Sequence, residues 1–94
     1  MGRLTWNYRV IRRKTSTGYV FAVHEVYYDA DGRIEAITED PTYPEGITLA
    51  ELKDDVFAYA AAITKPVLDY EDVVREIESR GARFIHRAAS PSKE

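Results

Sequence analysis

Two adjacent ionisable residues, His24 and Glu25, are the first place in the sequence where acid–base chemistry can be sought. A histidine and a carboxylate share a proton-transfer step only when both side chains reach one reacting atom. The surrounding segment, YVFAVHEVYY, is dense in β-branched and aromatic residues and predicts a strand. Consecutive strand residues point to opposite faces of a sheet, so the pair meets only across a bulge. We therefore favour a structural or surface role for His24 and predict no catalytic residues.

A group of acidic residues near one predicted turn suggests a divalent-cation site: Asp29, Asp31, Glu35 and Asp40. The segment DADGRIE lacks the ligand spacing of an EF-hand loop, in which glycine and the bidentate glutamate occupy set positions. Aspartate and glycine together are typical of turns, so an ordinary hairpin turn is the better interpretation. The only other histidine, His86, has no spacing that joins it to His24 in a metal site. The sequence predicts no metal and no cofactor.

Cationic side chains in the first predicted strand give the sharpest indication of a ligand: Arg9, Arg12, Arg13 and Lys14. Trp6 and Tyr8 alternate with them, and cations interleaved with aromatic rings are typical of strands that bind nucleic acid. Against this interpretation stand the sequence pI of about 5.4, the lack of an RNP-type motif, and the need for both rings in a small core. Nucleic-acid binding through these four residues is the alternative function, ranked behind a structural role.

Composition places the chain among small globular proteins. Its 94 residues are 45% hydrophobic and 31% charged, which indicates one folded domain. The net charge of −3 is unevenly spread, since residues 1–24 carry five cationic side chains and no acidic one. There is no cysteine and no long apolar run, so we expect a cytoplasmic protein without disulfides or a membrane span. Phosphate-loop, dinucleotide-binding and hydrolase-elbow motifs are absent, so we expect no enzyme.

Three strands are predicted in the first half of the chain, over residues 4–14, 19–28 and 33–39. Gly18 and Gly32 occupy the turns between them, where a positive φ is often needed. In the first strand Trp6, Tyr8 and Val10 share one face, and we expect that face to be buried against a helix. The second strand has apolar residues on both faces, so either both faces are partly covered or a bulge switches the alternation midway. If a helix covers only one side of the sheet, the other face of this strand remains open.

Two helices follow, over residues 48–63 and 70–80. Thr48 and Glu51 form a capping box at the start of the first helix. Its apolar residues recur at steps of three and four and are predicted to face the sheet: Leu49, Leu52, Val56, Ala60 and Ile63. Asp54 and Asp55 are assigned to its solvent side, and Gly81 is predicted to end the second helix.

These elements predict an α+β fold in which a three-stranded antiparallel sheet is packed by one main helix and a second short helix. A fourth short edge strand is expected at Val67 and Leu68 or at residues 83–87, within one domain over residues 1–87 and a disordered tail over 88–94. The function predicted is protein interaction, through a protein partner or self-association. Candidate contact residues lie on the open face of the second strand: His24, Val26, Tyr28 and Val20.

The order of strands, the loop ending in EGIT and the helix beginning TLAELKDDV resemble HicB-type antitoxin domains. The resemblance covers residues 8–63 and implies a partial RNase H-like sheet, self-association and a toxin partner. WNYRVIRR, VHEVYYDADG, PEGITLAEL and KPVLDY are also similar to recurring phrases of small bacterial proteins of unassigned function. The chain after Pro66 is too short for the DNA-binding segment of the family, and the acidic set of RNase H enzymes is not recognisable. Neither DNA binding nor nuclease activity is therefore carried over from the resemblance.

Overall fold

The two longest strands form the centre of the sheet. The computed structural model describes residues 5–79, and in it β1 (Thr5–Thr15) pairs antiparallel with β2 (Gly18–Tyr28) along the whole of both strands. Both strands are rich in β-branched and aromatic side chains, which suit a pleated surface. The turn between them uses Gly18, whose φ of 148° is one that residues with a Cβ rarely adopt. The predicted hairpin is confirmed.

A third strand, β3 (Ile34–Ile37), pairs antiparallel with the end of β2, and a bulge interrupts the register between Tyr27 and Tyr28. The turn before β3 is held by Asp29, whose Oδ1 accepts hydrogen bonds from the amides of Asp31 at 2.8 Å and Arg33 at 3.0 Å. Gly32 follows with a φ of 80°. The Asp29 carboxylate is therefore part of the turn, as the favoured interpretation of this segment expects.

A two-residue strand, β4 (Leu68–Asp69), completes the sheet on the other side of β1. It runs parallel to β1, because the chain returns to this edge through a crossover that contains a helix. The strand order is β3-β2-β1-β4. The predicted α+β class and the three antiparallel strands are confirmed, and a fourth strand lies between the two helices, where the alternative at Val67 and Leu68 expects it.

The first helix, α1 (Leu49–Ala62), begins at the predicted cap. The Thr48 hydroxyl accepts the Glu51 amide at 3.1 Å. The Glu51 carboxylate reaches back to the amide of Ile47 at 3.0 Å, one residue earlier than a capping box would place it. Helical hydrogen bonding ends at Ile63, and Pro66 follows shortly after.

The side of α1 that packs on the sheet differs from the predicted one. The side that faces the sheet carries Asp55, Tyr59 and the buried Ala62. The Tyr8 hydroxyl donates a hydrogen bond to Asp55 at 2.7 Å. The Tyr59 hydroxyl donates to Thr42 at 2.6 Å. The prediction that the apolar stripe faces the sheet is wrong. Leu52 is half-buried, but the other large residues of the stripe are exposed: Leu49, Val56 and Ile63. The assignment of Asp55 to solvent is wrong for the same reason.

The second helix, α2 (Tyr70–Ser79), covers the opposite face of the sheet. Strand alternation places Ile11 on the face opposite Tyr8, and α2 packs there with Val73 and Ile77. The core of buried aliphatic side chains lies on this side: Ile11, Val26, Ile34, Ile37, Val73 and Ile77. The predicted C-terminal end of this helix at Gly81, the edge strand at 83–87 and the tail at 88–94 lie outside the described residues.

Trp6 lies at the margin of the α1 side and does not reach the core. Its ring meets Tyr8 edge-on at 5.1 Å and stacks near Tyr27 at 6.1 Å, while nearly half of its surface is exposed. Tyr8 is buried instead, with its ring 4.2 Å from that of Tyr59. The expectation that the Trp6 face meets a helix holds at Tyr8 and is wrong for Trp6 itself.

Candidate functional site

Most of the contact residues predicted on β2 are buried or partly buried. His24 is 3% exposed, Val26 is fully buried and Tyr28 is partly buried, whereas Val20 near the start of β2 is exposed. The expectation of an open face is wrong for His24 and Val26, because Val26 packs in the cluster that includes Val73 and Ile77 of α2 and His24 is buried against Thr38. These two residues support the fold and are not available to a partner.

His24 and Glu25 are both buried, and they point to opposite faces of the sheet. His24 is paired across the strands with Arg9, and its Nδ1 lies 3.0 Å from the Thr38 carbonyl oxygen. Burial lowers the pKa of His24, and the bond to Thr38 opposes that shift only in part. Glu25 lies opposite Tyr8 and accepts a hydrogen bond from the Tyr27 hydroxyl at 2.6 Å. The two side chains do not converge on one atom, so their geometry offers no shared acid–base step.

The cations of β1 are divided between the two faces, so the four predicted nucleic-acid residues do not form one surface. Arg9 and Arg13 lie on the α2 side. Arg9 donates to the Tyr28 hydroxyl at 3.2 Å and to the Pro66 carbonyl oxygen at 2.7 Å. The Arg13 guanidinium lies 3.9 Å from the centre of the Tyr70 ring. Both arginines are thus used in packing within the fold.

Arg12 and Lys14 lie on the other face, the one that carries α1. Arg12 forms an ion pair of 2.9 Å with Asp69 on β4, and its hydrogen bond to that carboxylate lowers the pKa of Asp69. The Arg12 guanidinium also lies 4.5 Å from the centre of the Tyr19 ring. Lys14 is exposed and is paired across the hairpin with Tyr19. Of the predicted cluster, these two residues share a face.

An acidic cleft of about 240 Å³ opens where Trp6 and Tyr8 meet the first half of α1. It is lined by the two rings, by Ala58 and by four carboxylates: Glu45, Glu51, Asp54 and Asp55. Asp55 accepts from the Tyr8 hydroxyl and from the Glu45 amide, and Glu51 caps the helix. Burial, reinforced by the bond to Asp55, raises the pKa of Tyr8. The carboxylates of Asp55 and Glu51 therefore orient and cap α1, so the presence of these two groups in the cleft is explained by the fold.

Several large apolar side chains are exposed on the outer side of α1 and at its two ends. Leu49 is 81% exposed, Phe57 is 62% exposed and Ile63 is 71% exposed. Together with the less exposed Val56 and the preceding Ile47, these residues are here named the α1 apolar face. The sequence identifies Leu49, Val56 and Ile63 as apolar helix positions but places them in the core. Their exposure is what makes them candidates for contact with a partner.

Comparison with known proteins gives no relative for this chain: no family model, curated protein or solved structure matches it. Within residues 5–79 no helix is long and apolar enough to cross a membrane. Across the same residues, no three histidine, aspartate or glutamate side chains converge as ligands for a metal ion. The candidate surfaces of the protein are therefore judged by their geometry.

Proposed function

We propose that this protein is a small interaction module that pairs with a second copy of itself through the α1 apolar face. The exposure of the five large apolar side chains of this face, three on α1 and one flanking each of its ends, is the observation that supports this function. Monomeric proteins rarely leave a contiguous apolar patch of more than a few hundred Å² in water, because covering it releases free energy. A partner that covers this face would stabilise the protein.

The spacing of the face suits another helix. Leu49, Val56 and Ile63 are seven residues apart, which is the repeat that keeps one stripe of a helix against a neighbouring helix. Val56 lies midway between the other two, so an antiparallel pairing about a two-fold axis at Val56 sets each Leu49 against Ile63 of the second copy. Such a pairing is self-complementary, as the interface of a symmetric dimer must be.

The HicB-type resemblance adds a second possible occupant, a toxin protein bound in the bacterial cytoplasm. That partner would use the same face of α1, because the same apolar side chains require cover whichever polypeptide supplies it. We propose a second copy as the occupant, because the seven-residue spacing of the apolar side chains lets two copies of this face pack against each other.

Sedimentation velocity over a concentration series tests the self-association. The wild-type protein is expected to dimerise, and Val56→Lys is expected to weaken the dimer at least about tenfold, since it places a charge at the centre of the interface. Ala58→Lys is the matched control, because it adds the same charge to an exposed position on the side of α1 that faces the acidic cleft.

Three results would contradict the proposal. A wild-type protein that stays monomeric at the highest concentration reached excludes self-association. Equal weakening by Ala58→Lys places the interface elsewhere. A monomer that binds a toxin protein through Val56 replaces the second copy with that partner. Circular dichroism spectra of both variants must match the wild type, so that a loss of association is not a loss of fold.

A further inference from the structure

The free end of the β1–β2 hairpin extends beyond the rest of the sheet. β3 pairs only with Val26, Tyr27 and Tyr28, and β4 pairs only with Ile11 and Arg12. Within residues 5–79, no strand pairs with the outer edge of β2 between Gly18 and Ala22. Tyr19 is 52% exposed and Phe21 is 58% exposed at this end of the hairpin. Two aromatic rings are therefore about half exposed to solvent on a two-stranded part of the sheet, and the Arg12 guanidinium lies over the Tyr19 ring.

Rings and cations share one face of this hairpin end. The register pairs Arg12 with Phe21 and Lys14 with Tyr19, so all four side chains lie on the side of the sheet that carries α1. We name these four residues the hairpin-tip face. Tyr19 and Phe21 are two strand positions apart, about 7 Å, which leaves room for one planar group against each ring. This array combines stacking surfaces with positive charge.

A notch adjoins the hairpin-tip face. It encloses about 250 Å³ and is lined by Phe21, by Val67 and Leu68, and by the ion pair of Arg12 with Asp69. Apolar walls suit the faces of a flat aromatic molecule, while the guanidinium and the carboxylate offer a donor and an acceptor to its polar edge. A nucleobase has both a flat apolar face and a polar edge.

We propose that the hairpin-tip face binds single-stranded nucleic acid, with bases stacked on Tyr19 and Phe21 and a backbone phosphate on Lys14. Proteins that bind single strands combine exposed aromatic rings with cations that follow the backbone. On this face the exposed Lys14 offers a positive charge to a phosphate, while the charge of Arg12 is shared with Asp69. In a duplex the faces of the bases are stacked on one another, so they are not accessible to these rings. The site is separate from the α1 apolar face and does not depend on it.

The residues of this site differ from the four cationic residues that the sequence of the first strand suggests for nucleic-acid binding. Arg9 and Arg13 are held on the opposite face by Pro66 and Tyr70 and take no part. Asp69 places a negative charge beside Arg12 and opposes an approaching phosphate. Removal of that charge in Asp69→Asn is therefore expected to tighten binding, whereas removal of the charge on Lys14 weakens it.

Fluorescence anisotropy with labelled oligo(U) and oligo(dT) of about 12 nucleotides, within the range of single-strand site sizes, tests the proposal at low salt. Phe21→Ala is expected to lower affinity at least about fivefold, as for loss of one stacked base. Tyr43→Ala, which removes an aromatic ring of similar exposure from the loop before α1, is expected to leave affinity unchanged. Lys14→Gln is expected to reduce the slope of log affinity against log salt by about one.

Comparison of the two oligonucleotides shows whether the strand is RNA or DNA, and a duplex of the same length shows whether free bases are needed. The proposal is overturned if wild-type protein binds neither single strand at low salt. It is also overturned if Tyr43→Ala costs as much affinity as Phe21→Ala, or if the duplex or poly-glutamate binds as tightly as the single strands. Matching thermal unfolding of the variants ensures that each change in affinity reports the site.

Discussion

The Tyr8 hydroxyl donates a hydrogen bond of 2.7 Å to Asp55 and thereby joins the centre of β1 to the centre of α1. The same carboxylate accepts the Glu45 amide at 2.9 Å, which ties the loop before the helix to its second turn. A buried hydroxyl needs a partner, and a carboxylate near the sheet is a strong one. This bond sets which side of α1 faces the sheet and leaves the apolar residues of the helix outside.

Asp55→Ala is expected to lower the free energy of unfolding by about 2 kcal/mol, because hydrogen bonds to charged groups contribute about 1.5–3 kcal/mol each. Tyr8→Phe should cost about 1 kcal/mol, since it removes the donor and leaves the ring packed. Urea denaturation measures both values. Asp54→Ala, at the neighbouring exposed position, should stay within about 0.5 kcal/mol of the wild type. An equal loss in Asp54→Ala would mean that Asp55 acts through charge alone.

Local patterns were sufficient to predict most of the secondary structure. The hairpin follows from two β-rich segments around a glycine turn, and the start of α1 follows from Thr48 and Glu51. Each of these signals depends on a few neighbouring residues, so it can be recognised in the sequence without knowledge of the tertiary contacts. The short strand at Leu68 was also predicted as an edge piece, although its parallel direction follows only from the path of the chain across the sheet.

The orientation of α1 could not be predicted from hydrophobic periodicity. The pattern of Leu49, Val56 and Ile63 indicates an apolar stripe but does not say what covers it. The sheet side is chosen by hydrogen-bond demand between residues far apart in sequence, Tyr8 with Asp55 and Thr42 with Tyr59. An apolar stripe that belongs to an interface between molecules has the same sequence pattern as one in a core.

The candidate surfaces were misplaced for a related reason. Val26 lies on a face that a single helix would have left open, but α2 closes it after the chain crosses the sheet, and His24 on the same face is buried against Thr38. Tyr19 and Phe21 were not singled out, because their exposure depends on how short β3 and β4 are relative to the central hairpin. The sequence contains one usable signal: the second predicted strand, over residues 19–28, is longer than the third, over residues 33–39.

The stability of the protein should fall as the pH drops below the ordinary pKa of histidine, 6.5. Burial lowers the pKa of His24 in the folded state, so the unfolded chain takes up the proton first and acidification favours unfolding. The urea midpoint should therefore be lower at pH 5.5 than at pH 7.5. His24→Asn keeps a donor for the Thr38 carbonyl and should lose much of this dependence. An unchanged dependence in His24→Asn would assign it to another group.

Gly46→Ala should destabilise the start of α1. A Cβ at this position would lie 2.5 Å from the Leu52 amide nitrogen and 2.7 Å from the Glu51 carbonyl carbon, and both are backbone atoms of the helix. The backbone must shift to admit it, at a cost of about 1–3 kcal/mol in the free energy of unfolding. Gly32→Asn is the control, since its Cβ meets nothing within 4 Å and asparagine tolerates a positive φ. Thermal unfolding should rank Gly46→Ala well below Gly32→Asn.

Substitution of two isoleucines, Ile77 and Ile63, distinguishes the core of the fold from the proposed interface. Ile77 on α2 is almost fully buried against Ile11 and Val26, whereas Ile63 at the end of α1 is exposed. Ile77→Ala should lower the free energy of unfolding by about 2–5 kcal/mol, because it removes buried methyl groups and leaves a cavity. Ile63→Ala should change it by less than about 0.5 kcal/mol in the dilute monomer.

Urea denaturation at low and high protein concentration measures both effects. Ile63→Ala should lose stability relative to the wild type only at high concentration, where a partner covers the α1 apolar face. If the dilute monomer lost as much stability from Ile63→Ala as from Ile77→Ala, α1 would present a different side to solvent.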